Sequence, residues 1–260
     1  MKTSHVLRPA IIFAGLLAAW QAVVALSGSP PYILPGPALV ARALVERSDL
    51  ILEHAGITLF EIVAGFAIGA AVGIGSALAM SFFRPARRWL LPVLVVSQAV
   101  PVFALAPVLT LWLGYGIESK VAMAVLIIYF PVTAAFHDGL RRTEQGWLDL
   151  ARVMNGSRWA VLRHIRIPAA LPALGSGLRV AAAVAPIGAI VGEWVGSSSG
   201  LGYLMLHANA RVQIDLMFAT LFVLALAACA FYFAVDAAVR RLVPWQSETP
   251  PDSEESRVII

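Results

Sequence analysis

Charge is scarce in this chain. Asp, Glu, Lys and Arg make up 13% of its 260 residues, about half the roughly 25% usual for soluble domains. Hydrophobic residues reach 60% and mean hydropathy is +0.82. A soluble fold of this size leaves about a quarter of its unfolded surface in contact with solvent, so this composition requires lipid as solvent for much of it. Cysteine is nearly missing. Cys229 stands alone in an apolar run, which excludes an intramolecular disulfide and argues against a thiolate metal cluster. There is no G-x-x-x-x-G-K-[ST] phosphate loop, and His5, His54, His137, His164 and His207 show no H-E-x-x-H spacing. Ser197 to Ser199 have no nearby His or Lys to act as base, and Gly200-Leu201-Gly202 is too short for a dinucleotide fingerprint. No enzyme, no metal, no cofactor bound by this chain and no nucleic-acid partner is expected.

What is abundant is long apolar segments. A spanning helix needs about 20 mostly apolar residues, and about six candidates are read: Pro9 to Leu26, Thr58 to Phe83, Trp89 to Leu113, Val121 to Phe136 (short unless Lys120 snorkels), Leu174 to Trp194 and Leu216 to Val235. The first has the basic start of a signal sequence. Yet Ala25-Leu26-Ser27 runs into Gly28-Ser29-Pro30-Pro31 rather than a small-x-small cleavage site, so a retained span is expected. The second carries Gly65, Gly69 and Gly73, a tandem small-x-x-x-small pattern that admits a close neighbour. The third holds Pro92, Pro101 and Pro107 and is expected to be kinked or broken. Pro186 and Gly188 are expected to interrupt the fifth. Between the first two spans, Ala38 to Leu52 suits a short helix along the membrane surface, after the breaks at Pro30-Pro31 and Pro35-Gly36-Pro37.

Basic residues give an orientation. The segments before span one, between two and three, between four and five, and after six hold 14 Lys+Arg, against 4 in the alternate segments. That bias places both termini in the cytoplasm. Residues 1–245 are expected to form one transmembrane domain and 246–260 a mobile cytoplasmic tail. Arg179, near the cytoplasmic end of span five, is expected to snorkel.

The loop from Phe136 to Pro172 is patterned beyond a connector. Asp149 to Met154 reads as helix, Asn155-Gly156 as a sharp turn, and Ser157 as the cap of a second helix, Arg158 to Ile165. Ile165-Arg166-Ile167-Pro168 to Pro172 is expected to end that element. Helical spacing places Leu150, Val153 and Met154 on one face. With Trp159 and Leu162 they form an apolar knob rimmed by Arg152, Arg158 and Arg163. On residue chemistry alone, two readings stay open: an amphipathic loop on anionic lipid, or a docking element for another protein.

Polar groups at membrane depth are costly and are functional candidates. Gln98 and Pro101 lie at the proline-broken stretch of span three, and Glu193 with Trp194 closes span five at the outer face. These four are candidates to line a translocation pathway. An interhelical hydrogen bond for Gln98 and interfacial anchoring for Glu193 and Trp194 are the competing readings.

Asp149-Leu150-Ala151, three residues, Asn155, nine residues, then Ile165-x-Ile167-Pro168 resembles the E-A-A-x₃-G-x₉-I-x-L-P loop of the membrane permease subunits of bacterial ABC importers. Asp149 stands for the motif's Glu and Asn155 for its Gly, keeping the charge and the turn preference. The likeness extends to Leu34-Pro35-Gly36-Pro37, Gln98 to Pro107, Leu111 to Gly116 and Glu193 to Gly202, which look like the group importing sulfonates, taurine, nitrate and thiamine precursors. Tyr203 to Leu206, Ala208 to Arg211, Asp215 to Ala219 and Glu193-Trp194-Val195-Gly196 look most like permeases of a hydroxymethylpyrimidine-type thiamine precursor.

The resemblance implies an all-α type I importer permease fold in the bacterial inner membrane, with a cytoplasmic coupling helix. It implies two copies of this chain as a homodimer in lipid, two ATPase subunits that use ATP and Mg, and an extracytoplasmic substrate-binding protein. It also implies that Asp149, Leu150, Ala151, Arg152, Met154, Asn155, Gly156, Ser157, Arg158 and Trp159 couple to the ATPase. A secondary transporter without an ATPase is the contrasting class; matching interrupted halves would mark it, and the sequence has none.

Overall fold

A computed structural model describes residues 4–245, and the tail expected over 246–260 lies outside the described residues. Among the described residues the chain is helical: α1 (Ser4–Ser27), α2 (Pro37–Glu46), α3 (Ser48–Phe82), α4 (Arg84–Ala99), α5 (Val102–Leu113), α6 (Ile117–Arg141), α7 (Gln145–Val153), α8 (Arg158–Val161), a π turn over Leu162–Arg166, α9 (Ile167–Gly196), α10 (Leu201–Ala210) and α11 (Ile214–Leu242). Four helices are long and apolar enough to cross a membrane: α3, α6, α9 with the segment leading into it from Arg158, and α11. The helices α4 and α5 are together long and apolar enough for a span but are broken between Ala99 and Val102. The first expected span lies within α1, whose apolar stretch runs over Ala14–Ser27.

Prolines explain both an agreement and a correction. Pro101, at φ −60° and ψ 118°, caps α5 and, with extended Val100, separates it from α4, which is the expected break of span three. Span five is not interrupted. α9 runs unbroken from Ile167 to Gly196 through Pro172, Pro186 and Gly188. Nor does Pro168 end the preceding element. The π turn widens the ladder just before it, with the Ile167 amide bonding back to Leu162, so the proline ring falls where the carbonyls have already been displaced. The interfacial helix is also shorter than expected: α2 ends at Glu46, and Ser48 to Leu52 open α3 instead. At 35 residues α3 is about 52 Å long, so it overruns the roughly 30 Å hydrocarbon layer.

The described chain forms two compact units. One comprises residues up to 65, 101–125 and 185–230. Its core joins Val40 and Ala43 of α2, Ile51 of α3, Ile190 of α9, and Leu201 and Leu204 of α10 to Leu216 and Ala219 of α11. Trp20 stacks on Phe218 at its margin, ring centroids 5.9 Å apart. Here Gly65 abuts Ala124, and a Cβ at Gly188 would sit 2.6 Å from the Ala124 Cα. Missing side chains on α3 and α9 therefore let both helices meet the α6 backbone.

The other unit comprises residues 66–100, 126–184 and those from 231 on. A Cβ at Gly73 would lie 2.9 Å from the Tyr129 carbonyl oxygen, and one at Gly177 2.9 Å from that of Pro131. Close approach through the small-residue pattern of span two thus operates here as well. The Ser97 and Tyr129 hydroxyls share a hydrogen bond, and Phe66 meets Phe231 edge to face. Arg179 does not simply snorkel: its Nε donates to Asp236 Oδ1 at 2.6 Å, both side chains being largely shielded. A buried guanidinium needs a partner, and Asp236 is 57 residues away in sequence.

Candidate functional site

The helix–turn–helix between spans four and five is built as its residues require. α7 ends at Val153, and Asn155 takes φ 53°, a left-handed backbone. The Gly156 amide donates to the Ala151 carbonyl at 2.8 Å and the Asn155 amide to that of Arg152 at 3.0 Å. This pair of bonds is a Schellman closure, which satisfies carbonyls the helix end leaves open. Asn155 supplies the positive φ. Gly156 supplies the close approach, since a Cβ there would stand 3.0 Å from the Ala151 oxygen. Ser157 Oγ then accepts from the Ala160 amide at 3.2 Å and starts α8. A cap of this kind contributes about 1 kcal/mol.

The apolar face is exposed, with one change of membership. Leu150, Val153, Met154 and Trp159 all present more than half their surface, as does Trp147, which sequence spacing did not include. Leu162 is 5% exposed and belongs to the interior; it stands at the start of the π turn. Ala151 is buried too. Trp147, Leu150, Met154, Val161, Ile165 and Trp245 help to line a groove of about 550 Å³. Asp149 faces solvent and takes a hydrogen bond from Arg152 at 2.6 Å; an exposed pair of this kind stabilises by under about 1 kcal/mol. Trp159 and Phe82 pack edge to face with ring centroids 6.1 Å apart, bringing α8 against the end of α3.

The four pathway candidates part company. Gln98, Pro101 and Trp194 are exposed on the single chain. Glu193 is not an interfacial anchor: it is 1% exposed. It lies in a buried polar cluster with His54, Thr58 and Glu61 of α3, none of which the sequence reading picked out. The cluster satisfies the opening amides of α10. Gly200 N–H donates to His54 Nδ1 at 2.9 Å, and Leu201 N–H to Thr58 Oγ1 at 2.7 Å. Gly202 and Tyr203 N–H both donate to Glu193 Oε2. The Thr58 hydroxyl itself donates to Glu193 Oε1 at 2.6 Å. Four consecutive amides, which a helix start leaves without partners, are thus captured by side chains of α3 and α9. Gly200 has φ 104°, and a Cβ there would fall within the Glu193 carboxylate. The run Glu193 to Gly202 carries this geometry; the separation of 135 residues between Thr58 and Glu193 hid the partner.

Among the described residues no group of three or more His, Cys, Asp or Glu is placed to hold a metal ion. The site thus comprises an exposed apolar face on α7 and α8 and, apart from it, a buried polar cluster that holds the start of α10.

The chain is similar to known proteins over most of its length. The chain is 54% identical over 239 residues to a probable ABC transporter permease protein of Haemophilus influenzae, covering 92% of this chain and 98% of that one. It is 35% identical to the formylaminopyrimidine transport permease protein of Halalkalibacterium halodurans, over 95% and 100% of the two chains. It is 37% identical to the riboflavin transport system permease protein of Chloroflexus aurantiacus, over 89% and 87%. In fold it is similar to an inward-facing MetNI methionine ABC transporter chain, with TM-score 0.65, 16% identity and coverage of 75% and 97%. Residues 69–248 match the family described as binding-protein-dependent transport system inner membrane component. The chain belongs to that family and is a permease subunit of a bacterial ABC importer.

Proposed function

We propose that this permease forms the translocation pathway for a hydroxymethylpyrimidine-type thiamine precursor delivered by an extracytoplasmic binding protein. An ABC importer permease works with an ATPase and a binding protein. Two copies of this chain make the pathway, and each seats its α7–α8 element in a cleft of one ATPase subunit, where ATP and Mg are used. Asp149 to Trp159 carry that contact. The observation behind the coupling role is an exposed apolar face on a turn made rigid by two backbone bonds at Asn155 and Gly156. Closure of the ATPases moves each element as a body and rocks the helices joined to it, converting nucleotide binding into alternating access. Both termini and this element lie on the cytoplasmic side.

Support for the cargo comes from the full-length likeness to a formylaminopyrimidine permease. The cargo named for the riboflavin relative also carries a pyrimidine ring, in fused form. Sulfonate, taurine or nitrate is the second reading, favoured by the 28% identity to the taurine transport system permease protein of Escherichia coli. Vesicles bearing the permease, its ATPase and its binding protein are expected to accumulate labelled hydroxymethylpyrimidine on addition of ATP, and taurine not at all. Taurine uptake without pyrimidine uptake would reverse the cargo reading. Failure of any ATPase to co-purify would remove the coupling role.

A further inference from the structure

The groove beside α7 and α8 is also where the chain arrives after its last helix. Pro244 follows the final turn of α11, whose ladder it cannot continue, and Trp245 next to it lines the groove with Trp147, Leu150, Met154 and Ile165. Both tryptophans, Leu150 and Met154 each present more than half their surface. Residues 246–260 therefore set out from the groove itself, on the same side of the bilayer as α7 and α8.

Their chemistry matches it in two ways. Four of the chain's 15 acidic residues fall in this stretch, Glu248, Asp252, Glu254 and Glu255, against Arg257 alone. The element that walls the groove has the opposite sign. Arg158 of α8 and Arg163 of the π turn are exposed, and neither has an ion-pair partner among the described residues. Second, Val258-Ile259-Ile260 is apolar, and a groove of about 550 Å³ has room for such a stretch. Apolar side chains gain by leaving water. An anionic lipid surface offers that gain too, but it repels the acidic residues that precede these three. Fifteen extended residues reach up to about 50 Å, so the apolar stretch can turn back to the groove it left.

We propose that residues 246–260 fold back within one chain and seat Val258-Ile259-Ile260 in this groove, with the acidic residues facing Arg158 and Arg163. A short tether holds the tail at an effective concentration in the millimolar range, so a weak contact covers the face without closing it for good. A further consequence rests on the coupling role proposed above: the tail competes with the ATPase for Trp147, Leu150 and Met154, and restrains docking until the ATPase displaces it.

Full-length protein in nanodiscs of neutral lipid, with Cys229→Ala throughout, provides the test. Met154→Cys is labelled by a water-soluble maleimide at a rate set by how often the groove stands open. Two sets of substitutions weaken the tail without shortening it. One neutralises it (Glu248→Gln, Asp252→Asn, Glu254→Gln and Glu255→Gln), and the other makes its apolar stretch polar (Ile259→Ser and Ile260→Ser). Each set is expected to speed labelling about threefold or more, and high salt to speed the native tail likewise. The pair Met154→Cys and Ile259→Cys is expected to form a disulfide within one chain on oxidation. Equal labelling rates with all three tails would overturn the proposal, as would a disulfide found only between chains, which gives the groove to a second copy's tail. With Met154 in place, both sets are expected to tighten ATPase binding by the factor that labelling gains. Tail-dependent labelling with unchanged ATPase affinity would uphold the seated tail and place the ATPase elsewhere, so the two readings fail separately.

Discussion

Val212 occupies the left-handed region at φ 58°, where a β-branched side chain crowds its own backbone at a cost of roughly 1–2 kcal/mol. Its setting repeats that of Asn155. The Val212 amide donates to Asn209 and the Gln213 amide to Ala208 at 2.8 Å, closing α10 as Asn155 and Gly156 close α7. The strain persists because its flanks are fixed, with Ala208 on one side and Ile214 and Leu216 on the other all buried. Val212 itself is mostly exposed and gives little packing in return. Val212→Gly is therefore expected to raise stability by about 1 kcal/mol, after the entropy of the added glycine is offset. Thermal unfolding of the detergent-solubilised protein reads this as a higher midpoint. A lower midpoint would show that the valine makes contacts worth more than its strain. The pair of turns also shows what a sequence discloses: Asn-Gly announces a left-handed turn, whereas Val at the same position argues against one.

At the scale of elements, α7, the turn and α8 act as one piece only while the two turn bonds hold. Gly156→Pro deletes the amide that reaches Ala151, and a proline also drives the preceding residue out of helical and toward extended conformations. Arg158→Glu reverses a charge beside the apolar face without touching either bond. Both variants are expected to insert and to co-purify less ATPase, with uptake reduced at least tenfold. Uptake and ATPase recovery both at wild-type level in both variants would sink the docking role. Much of this element was legible because its bonds are local: cap, turn and helix phase all fall within a dozen residues. What escaped was non-local or cumulative. Leu162 read as part of the exposed knob because it is apolar and close to Trp159 in the chain, but in the fold it is buried. Pro186 read as a break, yet α9 is the most shielded span, with 56% of its apolar window buried against 11% for α11, and packing carries a helix past one missing amide. The clamp on α10 was invisible because Thr58 and Glu193 meet only through the fold.

For the whole molecule, the decisive question is which side each loop faces, and two exposed positions allow it to be tested. Fourteen basic residues against four predict the α7–α8 element on the cytoplasmic side and the α10–α11 turn on the outer side, because translocating a basic segment is disfavoured. Met154 and Val212 are both largely exposed, so a cysteine at either can react. Cys229 is exposed on α11 and is first replaced by alanine to give a silent background. In that background Val212→Cys is expected to react with a membrane-impermeant maleimide on intact spheroplasts, and Met154→Cys only after permeabilisation. The same Met154→Cys protein, expressed with its ATPase, should then lose most of its labelling, because the docked subunit covers the apolar face. The three outcomes separate the claims. Labelling of Met154→Cys from outside would invert the orientation and end the coupling reading with it. Labelling from inside that the ATPase does not block would keep the orientation and move the contact elsewhere on the loop. Protection by the ATPase would tie the charge bias, the exposed face and the rigid turn to one function.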